Sequence, residues 1–118
     1  MLIRNYYTIL NREQQEEQTY IFRLVLNTDT EVYHGHFPDN PIAPGVCSLQ
    51  MIKECLQSIL LLYKLRLPII KQCRFTRLLR PSNQELHLTL KLLESRWFYA
   101  EIAENGQLCM KIKAQYNY

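Results

Sequence analysis

The chain has 118 residues, 47% apolar and 21% charged, with a net charge of +3, which suits one globular domain read as residues 1–118. No apolar run approaches the ~18 residues of a spanning helix, and the basic residues are too scattered for a nucleic-acid footprint. Cys47, Cys55, Cys73 and Cys109 are far apart with no Cys-x-x-Cys spacing, which argues against a zinc site and reads as buried thiols packing like small hydrophobes. The opening Met1-Leu2-Ile3-Arg4-Asn5-Tyr6-Tyr7 lacks a basic-then-apolar layout, so no signal peptide is expected and the protein is read as cytoplasmic.

In chain order, the first element expected is a strand at Tyr20–Leu26, where Tyr20, Phe22, Leu24 and Leu26 alternate with Ile21, Arg23 and Val25. A punctuated segment follows, His34-Gly-His-Phe-Pro-Asp-Asn-Pro-Ile-Ala-Pro-Gly-Val46. It holds two of the three glycines, three of the five prolines and two of the three histidines. Proline fixes φ and glycine permits close backbone approach, so this composition predicts a rigid loop presenting an imidazole. Pro44 stands where a first helical turn tolerates it.

From Val46 to Tyr63 the spacing predicts a helix apolar over most of its circumference, with Gln50, Lys53, Glu54 and Gln57 as its polar stripe. Such a helix is largely enclosed. Pro68 breaks the pattern, and the period then changes to two. Strands are expected at Ile69–Leu78, Leu86–Leu92, Trp97–Ala103 and from Leu108 onward, with Asn105-Gly106 as a two-residue hairpin turn. Short connections imply an antiparallel sheet, and one enclosed helix beside it implies an α+β fold with the sheet curled round the helix.

The pattern His36-Phe37-Pro38, Pro41 and Pro44-Gly45-Val46 leading into a long apolar helix resembles the 3-hydroxyacyl-acyl-carrier-protein dehydratases of the hotdog fold. Gln72-Cys73-Arg74-Phe75-Thr76-Arg77, then Leu79-Arg80-Pro81, is similar to that family's strand after the helix, and the likeness runs from about Tyr20 onward. The resemblance implies a homodimer with sheets joined edge to edge, sites at the subunit interface and an acyl chain beside the helix. It makes His36 the base or acid–base group and Phe37, Pro44, Gly45 and Val46 the substrate-binding residues, with the Gly45 N–H on the thioester carbonyl. That role has physical sense, because helix N-termini offer unsatisfied donors and partial positive charge, which stabilise a developing enolate. It also implies acyl carrier protein as the partner, with Arg74, Arg77 and Arg80 as docking residues; no cofactor and no metal are expected.

Two positions depart from the family pattern. Its acidic residue on the helix is replaced by Gln50, and its glycine after His-Phe-Pro by Asp39. An amide does not titrate, so Gln50 cannot be a general acid. Glu54, one turn on along the same face, and Asp39, beside His36, are the alternative carboxyls, although Glu54 also suits pairing with Lys53 or an arginine. Gln50 could instead orient a water, which would make the protein an acyl-thioester hydrolase. The lost carboxyl also fits a non-catalytic subunit that binds acyl carrier protein beside a complete dehydratase. Related dehydratase-like proteins occur in aryl-polyene and similar pigment pathways, so a polyketide-like substrate is consistent with the resemblance. His34, His36 and Asp39 are metal-ligand types on one loop, which rarely closes a coordination shell. His87, among strand leucines, reads as a surface residue.

Overall fold

The computed structural model describes residues 6–27, 45–77, 79 and 84–118. Six antiparallel strands form one sheet in the order β1-β2-β4-β5-β6-β3. They are β1 (Tyr7–Glu16), β2 (Thr19–Leu26), β3 (Arg66–Phe75), β4 (Leu86–Leu92), β5 (Trp97–Glu104) and β6 (Gln107–Asn117), with helix α1 (Gly45–Leu60) between β2 and β3. One face of the central strands is wholly apolar. Phe22 and Leu24, Leu88 and Leu90, Phe98 and Ile102, and Met110 and Ile112 are all buried in one cluster with Met51, Ile52, Cys55 and Leu56 of α1. Fully burying such a side chain contributes roughly 1.5–3 kcal/mol. This contact holds the helix against the sheet, the arrangement expected of a hotdog fold.

The alternating strands lie where their patterns place them. Leu86↔Glu104, Leu88↔Ile102 and Leu90↔Ala100 pair β4 with β5, and the hairpin turns at Asn105 (φ 52°) and Gly106 (φ 76°), as a type I′ turn requires. His87 is exposed, with Nε2 3.6 Å from Glu85 Oε2.

Four expectations are corrected. Strand β1 was not expected at all: nine of its ten residues are exposed, so no alternation marks it. The helix ends at Leu60 rather than Tyr63, because Leu61 takes a left-handed conformation (φ 57°) and the Leu62 N–H donates to the Gln57 carbonyl at 3.1 Å. This is a Schellman closure built on leucine instead of glycine, and it leaves Tyr63 exposed. Strand β3 runs from Arg66 to Phe75, not Ile69 to Leu78. Pro68 lies inside it, tolerated because β3 is an edge strand whose register shifts between Arg66 and Ile69. Finally, Cys73 is exposed while the other three thiols are buried.

Strand β6 carries one irregularity that bears on the site. Its register with β5 shifts between Ile102↔Met110 and Ala103↔Leu108, leaving Cys109 as the extra residue of a bulge. Simple alternation groups Cys109 with Lys111 and Lys113 on the outer face. The bulge instead turns it inward, so Cys109 and Met110 are buried side by side.

The thiols supply a test of these placements. Burial and the neighbouring Glu54 carboxylate push the Cys55 thiol up to about 12, and burial raises Cys47, Cys73 and Cys109, so exposure is what sets Cys73 apart. Only the thiolate is nucleophilic. At pH 8 an aromatic disulfide reagent is therefore expected to modify Cys73 first, the other three reacting only on unfolding; mass spectrometry of the quenched protein reads the order.

Candidate active site

Helix α1 opens on Gly45 beside a cavity of about 190 Å³ lined by Gly45, Ser48, Phe75, Arg77, Leu79, Cys109 and Met110. Each wall follows from a local feature. The β6 bulge supplies Cys109. Its carbonyl accepts from the Thr76 N–H at 2.8 Å and the Arg77 N–H at 3.2 Å, and the Thr76 hydroxyl donates to the Leu108 carbonyl at 2.7 Å. These bonds tie the end of β3 to the bulge and bring Arg77 to the cavity. Phe75 closes another side, and its ring lies so near Gly45 that a Cβ there would stand 3.0 Å from Cζ. Glycine thus lets the Phe75 ring close over the helix tip, and an alanine there would push the ring aside.

The helix tip carries unsatisfied N–H groups and partial positive charge. Its first turn contains no acidic residue, so no carboxylate of the helix's own neutralises that field. Ser48, one turn beyond Gly45, is a buried hydroxyl on the cavity wall. The tip therefore suits an oxygen on which negative charge develops.

A second polar group lies on another flank of the same helix. The Gln50 amide (Nε2) donates to Glu54 Oε2 at 3.1 Å, and the Tyr7 hydroxyl of β1 donates to Glu54 Oε1 at 2.7 Å. Glu54 thus accepts on both oxygens. A phenol and an amide are therefore among its partners. Burial, then the Cys55 thiol and Glu54, raise the Tyr7 phenol far above its ordinary range, so it remains a donor at any working pH. Gln50 lies five residues from Gly45, about 7.5 Å along the axis at 1.5 Å per residue.

Of the residues expected at the site, Gly45, Gln50, Glu54, Arg74 and Arg77 fall in the described structure, and Val46 lies in the first turn of α1. His34, His36, Phe37, Asp39, Pro44 and Arg80 lie outside the described residues. Two of the expected docking arginines, Arg74 and Arg77, are exposed. Arg74 stands opposite Lys111 on β6, and Arg77 also lines the cavity. Among the described residues no three His, Cys, Asp or Glu side chains are grouped to hold a metal, and no helix is long and apolar enough to cross a membrane. Sequence reasoning missed Tyr7, Ser48, Phe75 and Cys109 as site residues. Ser48 had a visible signal, being a hydroxyl within the apolar stripe one turn past Gly45. Tyr7 had none, since its strand was not legible.

With this geometry in place, comparison with known proteins settles the family. The model of the ApeI-like family, described as ApeI dehydratase, matches residues 12–113. The chain belongs to the ApeI-like dehydratase family. The 3-hydroxyacyl-[acyl-carrier-protein] dehydratase FabZ of Bacillus licheniformis is 35% identical over 78 residues, 60% of this chain and 53% of that protein. The FabZ of Levilactobacillus brevis is 29% identical over 106 residues, 80% of this chain and 70% of its own length. The chain thus spans about half the length of the first relative and more of the second. Among solved structures, the dehydratase heterocomplex ApeI:P from Xenorhabdus doucetiae superposes with a TM-score of 0.80 at 22% identity, covering 94% of this chain and 97% of that one. The dehydratase domain from the CurK module of curacin polyketide synthase gives 0.65 at 17% identity, covering 99% and 44%. At those identities the likeness is one of fold, and the fold is the hotdog.

In this ApeI-like protein the Gly45–Phe75 contact is open to a direct test. Gly45→Ala forces the ring to yield, and overpacking costs about 1–3 kcal/mol. Phe75 is half exposed, so a loss near about 1 kcal/mol is expected, with Phe75→Leu restoring most of it in the double variant, as read by urea denaturation.

Proposed function

We propose that the chain is a dehydratase of 3-hydroxyacyl thioesters carried on acyl carrier protein, working in the cytoplasm as a homodimer. The observation that carries this reading is the course of the chain from the His36-to-Val46 motif directly into a helix whose first residue, Gly45, borders a cavity. Membership of a dehydratase family supports it, as does the substrate named for the FabZ relatives.

In the proposed reaction the Gly45 N–H holds the thioester carbonyl, and the helix tip stabilises the enolate as it forms. The His36 imidazole, which titrates near neutrality, takes the proton from C2. The same imidazolium then passes that proton to the 3-hydroxyl; the C3–O bond breaks, the C2=C3 bond forms and water leaves. One residue thus serves as base and then acid, so the reaction needs no carboxyl at position 50. Gln50 holds the departing hydroxyl, and Arg77 lies at the mouth used by the carrier-borne thioester. Phe37, Pro44 and Val46 complete the substrate-binding segment, and Arg74 and Arg80 extend the docking surface. Lys111, directly across the ladder from Arg74, adds to its positive charge.

The homodimer forms through β3. Both outer strands present unpaired backbone groups, and both carry charged side chains and two register shifts. Edge strand β3 exposes the larger apolar group, Ile69, Ile70 and Phe75 against Ile9 and Leu10 of β1, which a second copy would cover.

A second reading is favoured by one observation: Glu54, the helix carboxyl nearest Gln50, accepts on both oxygens and in that arrangement has no proton to give. The chain would then be a binding subunit beside a complete dehydratase, and the Xenorhabdus structure is itself a heterocomplex.

Incubation of the purified protein with 3-hydroxyacyl carrier protein separates the two. The dehydratase reading expects the enoyl product and a loss of at least ~10²-fold in His36→Ala. Binding without turnover, with Gln50→Glu starting the reaction, establishes the subunit reading instead; release of free thiol identifies a thioesterase. Arg77→Glu is expected to weaken carrier-protein binding, most at low salt, where exposed charges are least screened. Ile70→Lys on β3 is expected to shift the protein from dimer to monomer in sedimentation velocity.

A further inference from the structure

Resting on the reading that Gln50 meets the substrate hydroxyl, we propose that Tyr7 is a positioning residue which, through the Glu54 carboxylate, fixes the Gln50 amide with its carbonyl oxygen turned to the substrate. The side-chain amide has two unlike ends, a donor NH2 and an acceptor oxygen, and which end faces outward decides what Gln50 can do.

The hydrogen bonds determine that choice. Glu54 Oε1 is taken by the Tyr7 hydroxyl at 2.7 Å, and Oε2 faces the Gln50 amide at 3.1 Å. A carboxylate oxygen accepts and does not donate, so the amide must offer it the NH2, and the carbonyl oxygen points away from Glu54. Among the described residues the Gln50 side chain makes no other hydrogen bond. Its outward oxygen is therefore an acceptor matched to the hydrogen of a hydroxyl, and unmatched to a keto oxygen in the same place.

Tyr7 keeps the carboxylate from turning. A glutamate on a helix has three side-chain torsions, and the bond from Tyr7 adds a constraint from the sheet to the one made with Gln50. The Tyr7 bond bridges 47 positions of sequence, from an edge strand to the central helix, so the orientation is set by the sheet and not by the helix alone. Charge-assisted bonds of this kind are about twice as strong as neutral ones. The Tyr7 ring also stands edge-on to Tyr6, with centroids 6.5 Å apart, and Tyr6 is fully buried. The phenol is therefore carried on a packed ring. In the proposed elimination, the acceptor at Gln50 would hold the substrate hydroxyl by its hydrogen and leave its oxygen lone pairs free for the proton from His36.

Tyr7→Phe tests this, because it removes the donor and keeps the ring. In the 15N,1H spectrum the Gln50 side-chain amide, assigned by its loss in Gln50→Ala, is expected to move toward the position of exposed glutamines in Tyr7→Phe and to exchange several-fold faster with water. With 3-hydroxyacyl carrier protein, kcat should fall about tenfold with KM little changed, the signature of a contact made in the transition state. In the Gln50→Ala background the same substitution should leave kcat unchanged. Gln50 amide signals that stay in place in Tyr7→Phe overturn the inference, as does an equal loss of kcat in both backgrounds. The spectroscopic arm needs no turnover. A wild-type protein that makes no enoyl product but shows the Gln50 shift therefore refutes the dehydratase reading and upholds the Tyr7 relay.

Discussion

The fold depends on enclosing a helix that water would not tolerate bare. Met51, Ile52 and Leu56 are wholly inaccessible and Cys55 nearly so, and a helix with that much apolar surface must be met by something concave. The sheet meets it because four consecutive positions in its order, β2, β4, β5 and β6, each present an apolar row to the same side. Because that contact fixes α1 in rotation as well as position, the other faces of the helix are fixed too. Gly45 and Ser48 border the cavity, while Gln50 and Glu54 sit on the flank that Tyr7 of β1 reaches. The two polar features of the site are therefore by-products of one hydrophobic constraint.

The edge strands do different work from the central ones. They contribute little to the core, since β1 and β3 are exposed along nearly their whole length, yet each delivers one side chain to the helix. Tyr7 reaches Glu54 from β1, and Phe75 covers Gly45 from β3. Elements that cost little to vary in packing terms thus carry residues with specific tasks. On the outer surface the Arg23–Glu85 pair is exposed, and a pair of that kind contributes little to stability.

How much was legible in the sequence follows from the same division. Strands β4, β5 and β6 alternate because one side is buried and the other wet, so Leu86–Leu92 was readable to the residue. The helix was readable from its stripe and its family position from the loop before it, but its end was not, since nothing in a leucine announces the left-handed turn at Leu61. Strand β1 lacks a buried face and therefore a pattern. The i, i+4 spacing of Gln50 and Glu54 was visible on paper; their third partner was not, because it lies in the one strand without a signature. Cys109 was misplaced for a different reason: a bulge shifts the alternation by one residue, and no residue type marks where it does so.

That bulge has a consequence for how such a cavity could diversify. A side chain in a regular ladder position is constrained by cross-strand neighbours on both sides, so changing its bulk disturbs the sheet. The surplus residue of β6 has no counterpart opposite it, and its side chain points into the hollow beside the helix tip. Exchanging the thiol for a smaller or bulkier group would alter the depth of that hollow while every rung of the β5–β6 ladder stayed as it is. Pocket size and sheet integrity are uncoupled at this single site.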